Sequence, residues 1–430
     1  MTFRNRVYLL IILIAAFLTA TPLVLFFSFG YSYDFENHAL LKTGAITVNT
    51  QPRGAVVTFD GKILDSTTPL HVKHLLPGQY TIKIQKDGYR DWEDVITVES
   101  RQVTEIPAKS EKLFMVLDSI KPETILEGVA EIVSTENESY ARIATSTLTY
   151  QNLSTETKVS FPIASATDTY SRPTKNSDWT IITGAEQINV VNLVTGAYVN
   201  MNGLSPRPET IEVSGNNLAY FINSSGQLME LELATGKSRL MQNSVSSFKL
   251  NPYQQTILYI QGPNLIAIDY ASTTKDTLFK AIPEFEQAQI IPTPKETIVL
   301  LDGRLYLIDG QALDIIMKDV TFVDYHQDFA TLILGNSRNI WLFDIQHKVL
   351  TSLIADATDE IKDAVLSKTT NLLFYKEKEA LKAVEIFSQN ERKIYLLMSS
   401  APVLGRFYLN DKEDGVILRS DSVVQNVKFR

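Results

Sequence analysis

A repeat in the C-terminal part of the chain restricts its possible folds more than any other feature of the sequence. From about residue 110 to residue 430, short apolar segments end in a polar residue at intervals of 35 to 41 residues. The polar residues that end them are Asn152, Asn192, Glu232, Asp269, Asp309, Asp344, Glu385 and Asn426. Each copy has a second short segment upstream, rich in the Ile, Val, Tyr and Thr that favour strands over helices. The repeat therefore predicts successive units of short β-strands.

A period near 40 residues carrying about four strands is typical of a β-propeller blade. The copies predict eight blades, with seven as the alternative. The last copy ends at Arg430 without a fourth strand, and the segment KLFMVLD at residues 112–118 is predicted to supply it. Pairing the two ends of the domain in one blade would remove exposed sheet edges. We therefore predict an all-β fold in which residues 109–430 form a propeller closed by a strand near residues 112–118.

The predicted blades loosely resemble the generic repeats of TolB-like and WD40-like propellers. The sequence contains no Trp-Asp dipeptide. No functional residue of those families can therefore be assigned to a position in this chain.

The N-terminus is predicted to be a membrane anchor. Residues 7–30 contain no charged side chain and are numerous enough to cross a hydrocarbon core of roughly 30 Å. Arg4 and Arg6 precede this run, so the positive-inside rule places the N-terminus in the cytoplasm and the bulk of the chain outside. The alternative is a cleaved signal peptide, whose apolar part is usually about 7–15 residues. We predict a single-pass anchor over residues 1–30 that contacts the lipid bilayer, followed by a linker over residues 31–43.

After the linker, residues 44–108 read as a small β domain. Two alternating segments flank Pro52 and Gly54, and Asp87-Gly88 is typical of a tight turn between strands. The order of residues over 44–106 resembles the PEGA domain. The matching positions are Pro52, Gly54, Ala55, Asp60, Gly61, Pro69, Pro77, Gly78, Tyr80, Gly88, Tyr89 and Trp92.

The resemblance to the PEGA domain is close in residue order, although Arg53 stands where the family name implies a glutamate. It implies a small β-sandwich that serves as an extracytoplasmic spacer or binding module, often near a membrane anchor. It implies no catalytic residue. We predict that the matching glycines, including Gly78 in a type II turn after Pro77, adopt backbone conformations that are costly with a Cβ. Tyr80, Tyr89 and Trp92 are predicted to be core aromatics rather than a ligand platform.

Residue types that carry chemistry are sparse. His71 and His74 are three apart, which on a strand points them to opposite faces, so no metal site is predicted. His326 and His347 lack a recognisable catalytic partner in the sequence and are predicted to be structural. The polar residues at strand ends are predicted to cap turns through backbone N–H groups. We predict no catalytic, cofactor-binding or metal-binding residue, and therefore no enzyme.

Charge also limits the possible partners. The net charge is −9 and no basic stripe is visible, so a nucleic-acid partner is not expected. The sequence favours a membrane-anchored extracytoplasmic binding or scaffold protein that presents a propeller to a protein or envelope-glycan partner. Two alternatives stay open: an envelope-acting propeller enzyme, such as a glycan hydrolase or lyase, and a structural component of an envelope assembly.

Overall fold

The computed structural model describes most of the chain. The described residues are 3–28, 30–34, 38–107, 112–127, 131–134, 139–144, 147–152, 158–162, 169–170, 179–183, 188–192, 195, 197–202, 204, 208–214, 216–270, 274–386, 392–399, 404–410, 412–420 and 423–430. The predicted boundary between the small domain and the repeats, near residue 109, lies outside these ranges.

The N-terminal helix α1 spans Phe3–Ser28 and contains Arg4, Arg6 and Pro22. Searched over the described residues, no helix combines the length and the apolar character that crossing a membrane requires. The prediction of a transmembrane helix is therefore corrected. That prediction used the length and the uncharged, apolar composition of residues 7–30 in the sequence.

A short hairpin follows α1. Strand β1 (Tyr31–Asp34) pairs antiparallel with β2 (Ala39–Lys42). The segment predicted to be a linker, residues 31–43, therefore contains regular structure.

The small domain, here residues 44–106, consists of eight strands in two sheets with a short extra pairing. The strands are β3 (Gly44–Val48), β4 (Thr50–Gln51), β5 (Val56–Phe59), β6 (Lys62–Thr67), β7 (Leu70–Leu75), β8 (Gly78–Gln85), β9 (Trp92–Val98) and β10 (Val103–Ile106). One sheet has the order β10-β3-β7 and the other the order β6-β5-β8-β9. β11 (Leu113–Phe114) pairs with β4 beyond the end of the domain.

The two sheets of the small domain enclose one apolar core. Alternate residues of β3, Ile46 and Val48, are fully buried, as period-two alternation requires for a strand with one face inward. They pack in one cluster with Ile82 and Ile84 of β8 and with Trp92 of β9. This arrangement is a two-layer β-sandwich.

The rest of the chain, β12 to β43, is named here the sheet array. Its strands begin with β12 (Pro122–Glu127), β13 (Glu131–Ser134), β14 (Ser139–Ala144), β15 (Thr147–Asn152), β16 (Lys158–Pro162), β17 (Thr169–Tyr170), β18 (Trp179–Thr183), β19 (Ile188–Asn192) and β20 (Tyr198–Asn200). They continue with β21 (Pro208–Val213), β22 (Leu218–Asn223), β23 (Leu228–Glu232), β24 (Lys237–Gln242), β25 (Ser247–Asn251), β26 (Thr256–Gln261), β27 (Asn264–Asp269) and β28 (Lys275–Lys280). Next come β29 (Ala288–Pro292), β30 (Thr297–Leu301), β31 (Arg304–Asp309), β32 (Ala312–Met317), β33 (Phe322–His326), β34 (Thr331–Gly335), β35 (Ile340–Asp344) and β36 (Val349–Ile354). The last are β37 (Ile361–Leu366), β38 (Leu372–Glu377), β39 (Ala380–Glu385), β40 (Ile394–Met398), β41 (Leu404–Leu409), β42 (Gly415–Ser420) and β43 (Val423–Lys428).

In the described part of the chain, these strands form eight four-stranded antiparallel sheets. Seven of the sheets follow chain order, from β13–β16 to β37–β40, and the eighth has the order β12-β43-β42-β41. The predicted period near 40 residues corresponds to one such sheet. Because neighbouring strands are antiparallel, the turn between the first and second strands lies at the same end of a sheet as the connection between the third and fourth.

Consecutive sheets pack face to face through shared apolar clusters. Leu258 of β26 and Val299 of β30 belong to one cluster, and Leu373 of β38 and Ile333 of β34 belong to another. From the sheet β17–β20 to the last sheet, each sheet thus shares a buried apolar cluster with a neighbour, which no single four-stranded sheet can achieve alone.

The strand that completes the last sheet is not the predicted one. β12, at Pro122–Glu127, pairs with β43, whereas residues 112–118 lie between the small domain and the sheet array. Leu113 and Met115 are buried in the core of the small domain, and Val116 is buried in the cluster of the last two sheets. The segment 112–118, named the seam, lies between two cores and directs apolar side chains into both of them. A strand at the edge of a sheet does not need apolar side chains on both faces.

The predicted closed propeller is also corrected. Over the described ranges no closed barrel or propeller is found, and the arrangement is a series of packed four-stranded sheets. A sequence period specifies the strands of each sheet. It does not specify the angle between successive sheets, on which closure of a ring depends.

Candidate functional site

The residues shared with the PEGA motif form a structural frame in the small domain. Gly54 N donates to Thr68 O at 2.8 Å, and Ala55 N donates to Thr68 Oγ1 at 3.0 Å. Thr50 Oγ1 donates to Pro52 O at 2.7 Å. Pro69 directly follows Thr68 in the chain. These bonds join the loop after β4 to the start of β7.

The turn residues of the motif differ from one another in conformation. Gly54, Gly61 and Gly88 have φ of +80°, +77° and +81°, a region that residues with a Cβ rarely adopt. Gly78 instead begins strand β8 and pairs with Val98 of β9. The predicted left-handed glycine after Pro77 is therefore wrong, because an extended strand residue takes its place.

The remaining motif side chains pack within the small domain. Asp60 Oδ1 accepts a hydrogen bond from Thr81 N at 2.8 Å. Tyr80 stacks on Phe59 with ring centroids 4.7 Å apart. Tyr89 packs against the same core, while Trp92 is buried in it. These side chains therefore serve the packing of the small domain.

Trp92 also contacts the sheet array. Its Nε1 donates to Oε1 of Glu385, the last residue of β39, at 3.1 Å. The Tyr395 hydroxyl on β40 donates to the same oxygen at 2.6 Å. All three side chains are buried. A single carboxyl oxygen thus accepts hydrogen bonds from both parts of the protein.

Two cations complete this contact, which is named the junction and comprises Arg90, Trp92, Glu385, Lys393 and Tyr395. The Lys393 ammonium lies 4.7 Å from the centre of the Trp92 ring, a cation–π distance. Arg90 Nη2 donates to the backbone oxygen of Leu396 at 2.9 Å. The junction therefore combines aromatic, ionic and hydrogen-bonded contacts between residues distant in sequence.

Backbone hydrogen bonds run beside the junction. Arg90 N donates to Val116 O at 2.9 Å, and Asp118 N donates to Gly88 O at 3.1 Å. Leu117 N donates to Phe429 O at 2.9 Å. These bonds link the small domain to residues 116–118, and they link residue 117 to Phe429.

Burial changes the acid–base properties of the junction. It raises the pKa of Glu385 above its ordinary value, although the hydrogen bonds from Tyr395 and Trp92 and the charge of Lys393 oppose this effect. Burial lowers the pKa of Lys393. Burial and the nearby Glu385 raise the pKa of Tyr395, so its hydroxyl stays protonated and can donate. In each case transfer out of water disfavours the charged form.

A buried carboxylate in the same sheet has the opposite property. Burial would raise the pKa of Glu377, but hydrogen bonds from Lys382, Thr358 and the Asp359 backbone hold it below its ordinary value. Thr358 Oγ1 donates at 2.8 Å and Asp359 N at 3.1 Å. The carboxylate therefore stabilises the fold above its ordinary pKa of 4.5, and this contribution is lost as the pH falls through the lower pKa of the folded state.

Replacing Glu377 by glutamine is expected to destabilise the protein at pH 7 by about 1–3 kcal/mol, because the charge-assisted hydrogen bonds are lost. The difference from the wild type should shrink as the pH falls below 4.5. Urea unfolding at several pH values measures it. A difference that is independent of pH would contradict this assignment.

A second cluster lies where the turns between first and second strands meet. These turns, at residues 252–255, 293–296, 327–330, 367–371 and 410–414, are named the turn face; residue 411 lies outside the described residues. The turn at 327–330 includes the 3₁₀ helix Gln327–Phe329.

Two aromatic pairs lie at the turn face, at the end of β33. Tyr325 contacts Tyr253 edge to face with ring centroids 6.0 Å apart, although their sheets are separated by another sheet. His326 stacks on Phe329 at 5.0 Å. Phe329 is 37% exposed and the other three rings are half-buried. These four residues are named the aromatic cluster.

Polar groups surround the aromatic cluster. Burial lowers the pKa of His326, against the nearby charges of Asp328, Glu413 and Asp324. Its Nδ1 is shielded from solvent and has no hydrogen-bond partner among the residues that the structure describes. Burial, with smaller effects of Tyr253 and Glu296, raises the pKa of Tyr325.

Two other histidines, His347 and His71, contact polar side chains. His347 is exposed in a turn, where its Nδ1 lies 2.8 Å from Asp344 Oδ2. His71 Nδ1 lies 2.7 Å from Thr47 Oγ1. Across the described ranges, no group of three or more His, Cys, Asp or Glu side chains could hold a metal ion.

Sequence reasoning assigned Glu385 the wrong role. Asn192 and Asp344, which occupy equivalent strand ends, do accept hydrogen bonds from backbone N–H groups in the following turns. Glu385 instead accepts from two side chains, one of them 293 residues away in sequence. The aromatic cluster was also missed, since its rings come from separate copies of the repeat.

Comparison with known proteins identifies one part of the chain. The family model of the PEGA domain matches residues 43–112. A search of curated proteins finds no match.

Three solved structures are distantly similar to this chain. The computationally designed Ika8 protein is 12% identical, with 72% of this chain and 98% of that chain covered at a TM-score of 0.49. A chain of the Mitotic Checkpoint Complex is 9% identical, with 73% and 94% covered at a TM-score of 0.43. The dihydro-heme d1 dehydrogenase NirN is 10% identical, with 73% and 79% covered at a TM-score of 0.49. None of these likenesses carries an argument about function, and the family match concerns residues 43–112, which carry a PEGA domain.

Proposed function

We propose that this chain is a binding or scaffold protein without a catalytic role, which contacts a protein or glycan partner through the turn face. The observation that carries the proposal is the aromatic cluster, Tyr253, Tyr325, His326 and Phe329, which is partly exposed at the end of β33 and on two turns. Aromatic side chains bring large contact area at a small cost in conformational entropy, and they are enriched at binding hot spots.

Hydrogen bonds between turns support the proposal, because a rigid surface loses little entropy on binding. Gln254 Nε2 donates to Pro294 O in the turn of the next sheet at 3.1 Å. Glu413 accepts from Ser367 Oγ at 2.5 Å and from Thr369 N at 2.9 Å, which joins the turns of the last two sheets. The turn face is therefore pre-organised around the aromatic cluster.

The junction also supports a scaffold role. The indole of Trp92 and the guanidinium of Arg90 attach the small domain to β39 and β40 by side-chain contacts. These contacts hold the small domain against the sheet array. The extracytoplasmic location implied by the PEGA resemblance remains a prediction, which fractionation of cells with an antibody to the chain tests.

The test replaces two rings of the aromatic cluster. A Tyr325→Ala/Phe329→Ala variant should bind its partner at least about 30-fold more weakly, since a single hot-spot residue contributes about 2 kcal/mol and each 1.4 kcal/mol is tenfold. Photo-crosslinking in intact cells, with the crosslinker placed at Gln327 in the same turn, identifies the partner. Titration of the purified partner then measures the affinity of each variant.

The matched control is Tyr198→Ala, because Tyr198 is a tyrosine that is 56% exposed on β20, outside the turn face. The control should bind as the wild type does. Equal loss in the control, or undiminished binding by the double variant, would contradict the proposal. Cleavage of an envelope glycan by the purified wild-type chain would favour the enzyme alternative instead.

A further inference from the structure

The buried carboxyl group of Glu385 lies between the small domain and the sheet array. It is 6% exposed, and its Oε1 accepts from Trp92 Nε1 at 3.1 Å and from the Tyr395 hydroxyl at 2.6 Å. The indole belongs to the small domain and the phenol to the array. Separation of the two parts would therefore expose this carboxyl group to water.

Charged groups surround Glu385 from both sides. On the small domain, Asp94 acts on Glu385 directly, and Asp91 and Glu93 act on Lys393. Asp91 is itself paired with Lys83 at 2.9 Å. The groups facing Glu385 and its immediate partners are Arg90, Asp91, Glu93 and Asp94 on the small domain and Lys393 and Tyr395 on the array.

The neutral and the ionised forms of Glu385 have different desolvation costs in this position. A neutral carboxyl group keeps Oε1 as an acceptor for both donors and needs little hydration. A carboxylate loses its hydration on docking, and the donors and Lys393 offset only part of this cost. Undocking restores hydration to the carboxylate, so ionisation favours the separated state.

We propose that ionisation of Glu385 controls the docking of the small domain on the sheet array, with the neutral carboxyl group holding the contact and the carboxylate loosening it. The direction of the pH dependence follows from the direction in which docking shifts the pKa of Glu385. The pKa of Glu385 is raised in the docked state, so its stabilising contribution is complete below the ordinary value of 4.5 and is lost as the pH rises through the docked pKa. The proposal is independent of the partner that the turn face binds.

Lys393 acts in the opposite direction at high pH. Its pKa is lowered by burial, so docking gains stability as the pH rises through that lowered value. Glu385 and Lys393 therefore change the stability of docking in opposite directions as the pH rises, and the Glu385→Gln variant isolates the contribution of the glutamate.

Distance measurement between two spin labels tests the proposal. The chain has no cysteine, so Ser66→Cys on β6 and Ser352→Cys on β36, both exposed, accept labels specifically. In the wild-type background, the distance distribution should be narrow at pH 5 and should broaden as the pH approaches 8. With Glu385→Gln, which keeps an acceptor and removes the charge, it should stay narrow throughout.

Two further variants make the result specific. Tyr395→Phe removes a donor that favours the carboxylate, so the midpoint of broadening should move to higher pH. Glu377→Gln, a buried carboxyl change in the same sheet, should leave the wild-type pH dependence unaltered. A wild-type distribution that does not change with pH would overturn the proposal. So would broadening of the Glu385→Gln variant that matches the wild type, or an unmoved midpoint in Tyr395→Phe.

Discussion

Replacing Trp92 by alanine is expected to lower the free energy of unfolding by about 3–5 kcal/mol. The indole is buried in the core of the small domain, where it packs in one cluster with Ile84 and Ile96. Its Nε1 also donates to Glu385 across the junction. The substitution thus creates a cavity in one core and removes a hydrogen bond to another part of the protein.

Urea unfolding followed by circular dichroism measures this loss. The matched variant Trp92→Phe keeps most of the buried ring but not the donor, so a smaller loss of about 1–2 kcal/mol is expected. The difference between the two variants separates core packing from the contact with Glu385. A loss below about 1 kcal/mol in Trp92→Ala would show that the site relaxes without a cavity, against the packing described above.

Replacing Phe429 by alanine is expected to cost about 3–5 kcal/mol, although it is the penultimate residue of the chain. Its ring is 1% exposed and lies 4.7 Å from that of Phe374, in the cluster shared by the last two sheets. Its carbonyl accepts from Leu117 N, and its own N–H donates to Asp414 O. Phe429 is therefore part of the core that the last two sheets share.

Phe329→Ala is the matched control for Phe429→Ala. Its ring is 37% exposed, so a loss below about 1 kcal/mol is expected. Urea unfolding of the two variants under identical conditions makes the comparison. Equal losses would contradict the assignment of Phe429 to a core and of Phe329 to a surface. Urea unfolding of the Tyr325→Ala/Phe329→Ala variant checks in the same way that the binding test uses a folded protein.

Local features of the fold could be read from the sequence because they depend on neighbours in the chain. The strand ending at Asp344 and the one upstream of it, for example, are neighbours in one antiparallel sheet. The turn glycines Gly54, Gly61 and Gly88 adopt the left-handed backbone that their residue type favours. Gly78 does not adopt the left-handed backbone, because its pairing with β9 requires an extended conformation.

Both candidate sites depend on contacts that periodicity cannot locate. In the sequence, Glu385 does not differ from the other polar residues at strand ends. Only the tertiary structure places Trp92 and Tyr395 against it. Tyr253 and Tyr325 approach each other from sheets that are not consecutive. The segment 112–118 was predicted to pair with the last sheet, but it lies between two cores. Alternation of apolar residues predicts that a strand has two faces, but it does not predict which core each face contacts.

The sequence by itself determined the PEGA motif of the small domain and the division of the rest into four-stranded units. Both rest on short-range physics, namely turn conformation and alternation of apolar residues. Only the tertiary structure decided that β12 completes the last sheet, that no closed ring is found over the described residues, and that Glu385 is buried between two parts of the protein. These features depend on packing angles and on desolvation at contacts between residues far apart in the chain, which the local pattern of residues does not encode.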